Sequence, residues 1–311
     1  MVEGQAGLTW DKWRALVARV EDWGFAGLYR SDHFTMSHVT REDSLEMIVS
    51  LAYLADHTQR VHFGPLVAPL SFRDPVMLAR QAAHLDALSS GRMILGVGAG
   101  WQVREHEMFG YPLLDKKARL ERFAEGLQVI SLLLKSEAPV SFEGRWYNLR
   151  DAEILPRPYK TKILVGGNGI TQTLRLAARY ADVWNGVQLS PSAFRERAKI
   201  LDDYLYDAGR DSAQVKKTTA TFLFFGGDAN ALEQRVARFR HHPAFAGKTW
   251  SEILAMLRYE DAAIAGTPDD VIPQIQAYTD AGVQELMLQI FDSDDVTGLD
   301  LFARAVLPHF G

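Results

Sequence analysis

Seven short apolar runs, separated by longer segments of helical period, constrain this chain more than any other feature. The runs are Ala26 to Arg30, His62 to Val67, Met93 to Val97, Lys162 to Val165, Asp182 to Asn185, Thr218 to Phe225 and Glu285 to Ile290. Strands that alternate with helices pair in parallel, because each helix carries the chain back to the start of the next strand. Eight such units close into a barrel. The eighth strand would be the first in sequence, and there the chain offers only Met1-Val2-Glu3 before Gly4 and Leu8. The expectation is an α/β fold, a (β/α)8 TIM barrel with insertions whose first strand is short or truncated, or whose start site lies downstream of the true one. By length alone 311 residues would also fit two domains. Barrels of this kind run to about 250 residues or more, so residues 1–311 are assigned to one domain.

The helical segments carry recognisable ends. Thr9 precedes a segment with Trp13, Leu16, Val17 and Val20 on one face, and Gly24 stops it. Asp74-Pro75 opens a helix bearing Leu78, Ala82, Leu85 and Leu88, closed by Gly91. Thr267-Pro268-Asp269-Asp270 opens another, which Gly282 ends. Leu120, Phe123, Leu127, Ile130 and Leu134 form an apolar stripe for core packing. Two segments break the rhythm: Val140 to Asp151 alternates as a hairpin turning at Glu143-Gly144, and His241 to Gly266 is irregular and helix-like. The expected insertions therefore lie near 99–114, 138–156 and 240–266, on barrel loops, where substrate selection resides.

Composition removes several function classes. The chain has no cysteine, which excludes disulfides, thiolate nucleophiles and cysteine metal sites. A net charge of −5 and a pI near 6.0 argue against a nucleic-acid partner. No apolar run reaches the ~20 residues of a membrane span and no signal peptide opens the chain, so a cytoplasmic location is expected. The nine histidines form no His-x-His or His-Glu-x-x-His set, so no metal is expected. His241-His242, in the irregular segment, is the weakest of metal candidates. No Gly-x-Ser-x-Gly elbow is present.

Three constellations follow strands, which in a parallel barrel puts them on one face. Arg30-Ser31-Asp32-His33-Phe34 follows the second strand, counting Met1-Val2-Glu3 as the first, and joins an acid to an imidazole that titrates near neutrality. Gly96-Val97-Gly98-Ala99-Gly100-Trp101 follows the fourth strand and precedes Arg104, Glu105 and His106. Its glycines let backbone N–H groups approach a ligand, and Trp101 can wall a flat ring. Gly166-Gly167-Asn168-Gly169 leaves the fifth strand for a helix, where unpaired N–H groups and the helix dipole favour an anion such as phosphate.

With these residues in hand, the chain resembles the bacterial luciferase-like family of flavin and deazaflavin oxidoreductases. The resemblance rests on Glu3-Gly4-Gln5 through Phe34; Phe72-Arg73-Asp74-Pro75 through Ser90-Gly91-Arg92; Leu95 to Trp101; and Ile163 to Asn185, in that order across nearly the whole chain. It implies a barrel with insertions, usually a homodimer, and a flavin-type ring in the barrel mouth. The Ser-Asp-His-Phe sequence at 31–34 looks like the branch that uses coenzyme F-420 (F420). By that resemblance His33 is the acid/base residue, and Asp32 orients it or touches the ring. The same resemblance assigns cofactor contacts to Leu66, Val67, Gly98, Ala99, Gly100, Trp101, Gly166, Gly167, Asn168 and Gly169, with a non-proline cis peptide at Leu66-Val67. The family's sugar-phosphate dehydrogenases carry an acid where this chain has Trp101, which argues against a glucose 6-phosphate substrate. The expectation is an F420-dependent oxidoreductase moving a hydride between the deazaflavin and a small organic substrate. Its alternatives are an FMN-dependent monooxygenase using reduced flavin and oxygen, and a non-catalytic flavin-binding protein.

Overall fold

The computed structural model describes residues 1–37, 41–238, 245–259 and 262–310. Strands form where the apolar runs lie: β1 (Gly27–Arg30), β2 (His62–Pro65) with its continuation β3 (Ala68–Pro69), and β4 (Ile94–Gly98). A hairpin of β5 (Val140–Glu143) and β6 (Asn148–Ala152) interrupts the series, which resumes with β7 (Lys162–Gly166), β8 (Val183–Val187) and β9 (Lys216–Phe225). β10 (Ile264–Gly266) and β11 (Glu285–Gln289) complete the set among the described residues. Apart from the antiparallel β5–β6 hairpin, every pairing is parallel, in the order β1–β2 and β3–β4–β7–β8–β9–β11.

Two seams join these ladders into a ring, and each is held by isolated bridges. Phe63 in β2 bridges Met93 ahead of β4. Val2 bridges both Arg30 in β1 and Ile290 after β11. Its N–H donates to the Tyr29 carbonyl at 2.8 Å, its own carbonyl accepts from Ser31 N–H at 3.0 Å, and Glu3 N–H donates to Ile290 at 3.1 Å. The short first strand is thus Met1 to Glu3, with Val2 as its bridge residue, and it fills the gap between β1 and the end of β11.

Alternation along the strands sorts the core into two layers. Tyr29, Ile94, Leu164, Val183, Ala220 and Met287 point inward with Leu66 and form the barrel interior. Their neighbours, among them Phe63, Leu95, Val97, Ile163, Val165 and Trp184, pack outward against the helices. α1 (Trp10–Val20), α2 (Met47–His57), α3 (Pro75–Leu88) and α5 (Lys116–Lys135) cover one side, and a short α4 (Val103–Phe109) sits in the loop after β4. α6 (Thr173–Tyr180), α7 (Pro191–Asp207), α10 (Pro268–Asp280) and α11 (Val296–Ala305) cover the rest. The expected caps form: Asp74 accepts from the N–H groups of Val76 and Met77 at 3.0 and 2.9 Å, and Asp270 accepts from Thr267 N–H at 3.0 Å.

The segment expected to be irregular from His241 to Gly266 is more regular than its sequence indicates. It contains α9 (Trp250–Tyr259) and then β10, which pairs with the upper end of β9 at Leu223 to Phe225. With α8 (Ala229–Ala237) these elements enclose a small second core of Phe224, Leu232, Val236, Phe245, Ile253, Leu257, Ala263 and Ala265. His241-His242 lies outside the described residues.

Candidate active site

All three constellations meet at the ends of β1, β4 and β7. The turn after β1 is built from below. The Arg30 guanidinium is fully buried and donates to the Ser31 carbonyl, to Ser50 Oγ at 2.6 Å and to the Leu45 carbonyl at 2.7 Å. Burial holds its pKa down at about 10 against the charges of Asp32 and Glu46. Gly4 is needed beside it, since a Cβ there would sit 2.2 Å from an Arg30 nitrogen. Gly4 N–H donates to Ser31 Oγ at 2.9 Å, and Ser31 donates on to Gln5 at 2.5 Å. The Glu3-Gly4-Gln5 and Ser31-Asp32-His33 stretches are therefore one stitched unit.

His33 and Asp32 then take different partners. Asp32 receives a two-pronged ion pair from Arg73, at 2.9 Å from Nε and 2.7 Å from Nη2, and Arg73 also reaches Glu46 at 2.8 Å. Burial pushes the Asp32 carboxyl up, with the Arg73 guanidinium pulling against it. His33 turns instead to Glu105, whose carboxylate oxygens lie 3.0 and 3.1 Å from Nδ1. The same carboxylate accepts from Phe34 N–H at 3.1 Å, and only 1% of its side chain is exposed. Burial alone would lower the His33 pKa, but the hydrogen bond and charge of Glu105, helped by Glu3 and Asp32, hold it above 6.5. The sequence alone had Asp32 either orienting His33 or touching the ring; the hydrogen bonds to the His33 ring come from Glu105.

Trp101 stands edge-on to His33, with ring centroids 5.7 Å apart and 62% of the residue exposed. The peptide between Leu66 and Val67 is cis, at the position the resemblance indicates. Three glycines of the expected ligand loops have a reason to be glycine that the sequence reading did not offer. A Cβ on Gly98 or Gly166 would lie 2.6 or 2.8 Å from the Val67 methyls, and one on Gly96 would lie 2.1 Å from the Pro65 carbonyl oxygen. They make room for the Leu66-Val67 bulge. Gly100, at φ +82°, packs its α-carbon against Ser71. Ala99 is half-buried against the core beside it.

After β7, Gly167 adopts φ +129° and its N–H donates to the Asn185 carbonyl at 2.9 Å. Asn168 uses its side-chain amide on Val187, donating to the carbonyl at 2.7 Å and accepting from the N–H at 2.9 Å. Gly169 lies against Thr173, the first residue of α6, whose N-terminus has no side-chain cap. The N–H of Leu174, one residue on, already donates to the Gly169 carbonyl at 3.0 Å, so an anion at this helix start would have only the other first-turn N–H groups. Among the described residues no group of three or more His, Asp or Glu side chains is placed to hold a metal ion.

Glu105, Arg73 and Glu46 were missed as site residues. Glu105 was in view beside the glycine run, but nothing in the linear sequence ties it to a histidine 72 positions earlier. A buried acid in the first turn of a short helix after a barrel strand is the signal that could have found it.

Comparison with known proteins supplies the context. The family model described as luciferase-like monooxygenase matches residues 2–285. An F420-dependent glucose-6-phosphate dehydrogenase from Kineococcus radiotolerans is 28% identical over 93% of this chain and 90% of its own length. The structure of an F420-dependent secondary alcohol dehydrogenase in complex with an F420-acetone adduct superposes with a TM-score of 0.82 at 20% identity, covering 97% of this chain and 94% of that one. The monooxygenase RslO1 from Streptomyces bottropensis gives 0.80 at 22% identity over 97% and 93%.

Proposed function

The chain belongs to the luciferase-like monooxygenase family, and on that footing we propose that it is an F420-dependent oxidoreductase acting on the carbinol carbon or unsaturated bond of a small organic substrate. The observation that carries the proposal is the His33–Glu105 pair at the barrel mouth. A carboxylate can only accept, so Nδ1 of His33 carries the shared proton. That commits Nε2 to the substrate side, where it takes the hydroxyl proton as an alcohol is oxidised and returns it as a carbonyl is reduced. Burial lowers the His33 pKa and Glu105 raises it, with a net upward shift that makes this imidazole a stronger base than a free one.

F420, when bound, supplies a two-electron hydride acceptor or donor. The residues present fit it. Leu66 and Val67 give an apolar floor, Trp101 gives a flat wall beside His33, and the uncapped α6 start after Gly166 to Gly169 gives N–H groups for a phosphate. Asp32 acts through Arg73, holding the β1 turn that carries His33. The relatives named as F420-dependent dehydrogenases support the cofactor. A homodimer in the cytoplasm completes the proposal, and a solution mass twice 34.9 kDa is its check.

Titration with both cofactors tests this reading. Cofactor-free protein should quench F420 fluorescence saturably and leave FMN fluorescence unchanged. Tight FMN binding, with oxygen uptake when reduced FMN and substrate are supplied, would replace it with the monooxygenase alternative.

A further inference from the structure

Glu105 reaches His33 from α4, a helix of seven residues, too short to hold its own shape in water. A surface helix is ordinarily fixed by an apolar face turned to the core. The side chains that α4 buries are instead both polar, Glu105 and His106, each 1% exposed. Its large apolar residues Val103 and Met108 face water, and Phe109 stacks on Phe34 with half of its surface still open. Hydrogen bonds therefore have to place this helix.

Those bonds run through one residue. Gln102 stands at the N-cap, where Ser, Thr, Asp or Asn is preferred, and its side chain makes no capping bond. Its buried amide donates across to the Thr35 carbonyl at 2.9 Å. Its backbone carbonyl is held in turn by His106 Nδ1, at 2.7 Å. A carbonyl can only accept, so Nδ1 of His106 carries the proton, while Nε2 is buried with no hydrogen-bond partner. The imidazole rests on Phe72 of the loop after β3, with centroids 5.6 Å apart. Residues 33–35 are thus gripped at two points from one helix: Gln102 holds the Thr35 carbonyl, and Glu105 holds Phe34 N–H and His33 Nδ1.

The arginines of α4 and α5 do not share this work. Arg104 Nε is buried without a hydrogen-bond partner. Arg119 bonds to the Leu114 carbonyl, and Arg122 to the Tyr147 hydroxyl and the Ser71 carbonyl. Arg73 is taken up by Asp32 and Glu46. The Glu105 carboxylate is left to His33 and Phe34, with the charges of Glu3 and Asp32 adding through space.

We propose that His106 is a positioning residue for proton transfer at His33: its Nδ1–H fixes the Gln102 carbonyl, Gln102 fixes α4 to the loop after β1, and α4 brings Glu105 to the imidazole. Its place in turnover rests on the oxidoreductase reading above; its place in the fold rests on these contacts alone. Two substitutions separate positioning from packing, because an Asn side-chain amide copies the near ring nitrogen, Nδ1, and a Gln amide copies the far one, Nε2.

The pH titration of the His33 ring, followed by NMR in full-length protein without cofactor and assigned by its loss in His33→Asn, tests the proposal. Burial lowers the His33 pKa and Glu105 raises it, so a looser Glu105 contact should lower the midpoint, with Glu105→Gln as the limit. His106→Gln should lower it by at least about half a pH unit. His106→Asn, which keeps a donor for the Gln102 carbonyl, should keep the wild-type midpoint. If either His106 variant fails to fold, Gln102→Met, which keeps the length but loses the bond to Thr35, should give the same fall. An unmoved midpoint in His106→Gln or Gln102→Met would overturn the proposal. An equal fall in His106→Asn would also overturn it, making His106 a packing residue. In F420 reduction by an alcohol, the pH at which the rate rises should move with the NMR midpoint. The expected midpoints without F420 reduction by wild type would count against the oxidoreductase reading alone.

Discussion

His33 is held by a carboxylate 72 positions away in the chain, and that distance explains what the sequence could and could not reveal about the site. The Asp32-His33 dipeptide was legible because it follows an apolar run. Its division of labour was not, because Arg73 and Glu105 reach it only through the barrel's closure. If His33 moves the proton, His33→Asn should lower kcat by about 10²- to 10⁴-fold while changing F420 affinity little, as turnover and fluorescence titration would show. Stability carries the same signature. Because the folded pKa of His33 lies above its unfolded value, its contribution is fully present below pH 6.5 and is lost as pH rises through the folded pKa. The stability difference between wild type and His33→Asn in urea should therefore shrink from pH 6 to pH 9, and a difference that stays flat or grows would contradict the raised pKa. Asp32→Asn should cost about 1 to 3 kcal/mol, because Arg73 loses the two-pronged carboxylate but keeps Glu46 at 2.8 Å.

At the scale of elements, the glycine run after the fourth barrel strand is the instructive case. Its spacing pointed to backbone approach by a ligand, and Gly96 and Gly98, with Gly166 at the end of β7, also admit the Leu66-Val67 bulge from a neighbouring strand end. A sequence lists glycines but not what stands against them. Gly96→Ala brings its Cβ against the Pro65 backbone carbonyl, which cannot rotate away. It should destabilise by more than the 1 to 3 kcal/mol typical of overpacking. Gly24→Ala, at φ +83° with nothing within 4 Å, should cost only about 1 to 2 kcal/mol. Thermal unfolding of the two variants checks the order. The helix caps at Thr9, Asp74 and Thr267 were legible because capping is local. β10 was not: three residues following Ala262-Ala263 carry no period, and its strand character comes from pairing with β9.

At the scale of the whole molecule, a parallel barrel was readable from the alternation of runs, and its weakest point was readable too. The seam rests on Met1 to Glu3, where Val2 bridges β1 and the end of β11 and its neighbours bond across the seam only to β11 and Ile290. Val2→Pro removes the N–H that binds Tyr29, and should raise amide exchange in β1 and β11 well before β4, β7 and β8 are affected. Uniform exchange across the strands would show that the seam does not govern opening. The same closed ring brings Glu105 to His33, so chemistry and fold meet in one contact. The pH dependence of kcat/KM for F420 reduction by an alcohol, compared in wild type and Glu105→Gln, tests that contact most directly. Wild type should rise with pH through an apparent pKa above 6.5, and Glu105→Gln should move that limb to lower pH. An unmoved limb, or no F420 reduction by wild type at any pH, would contradict the account.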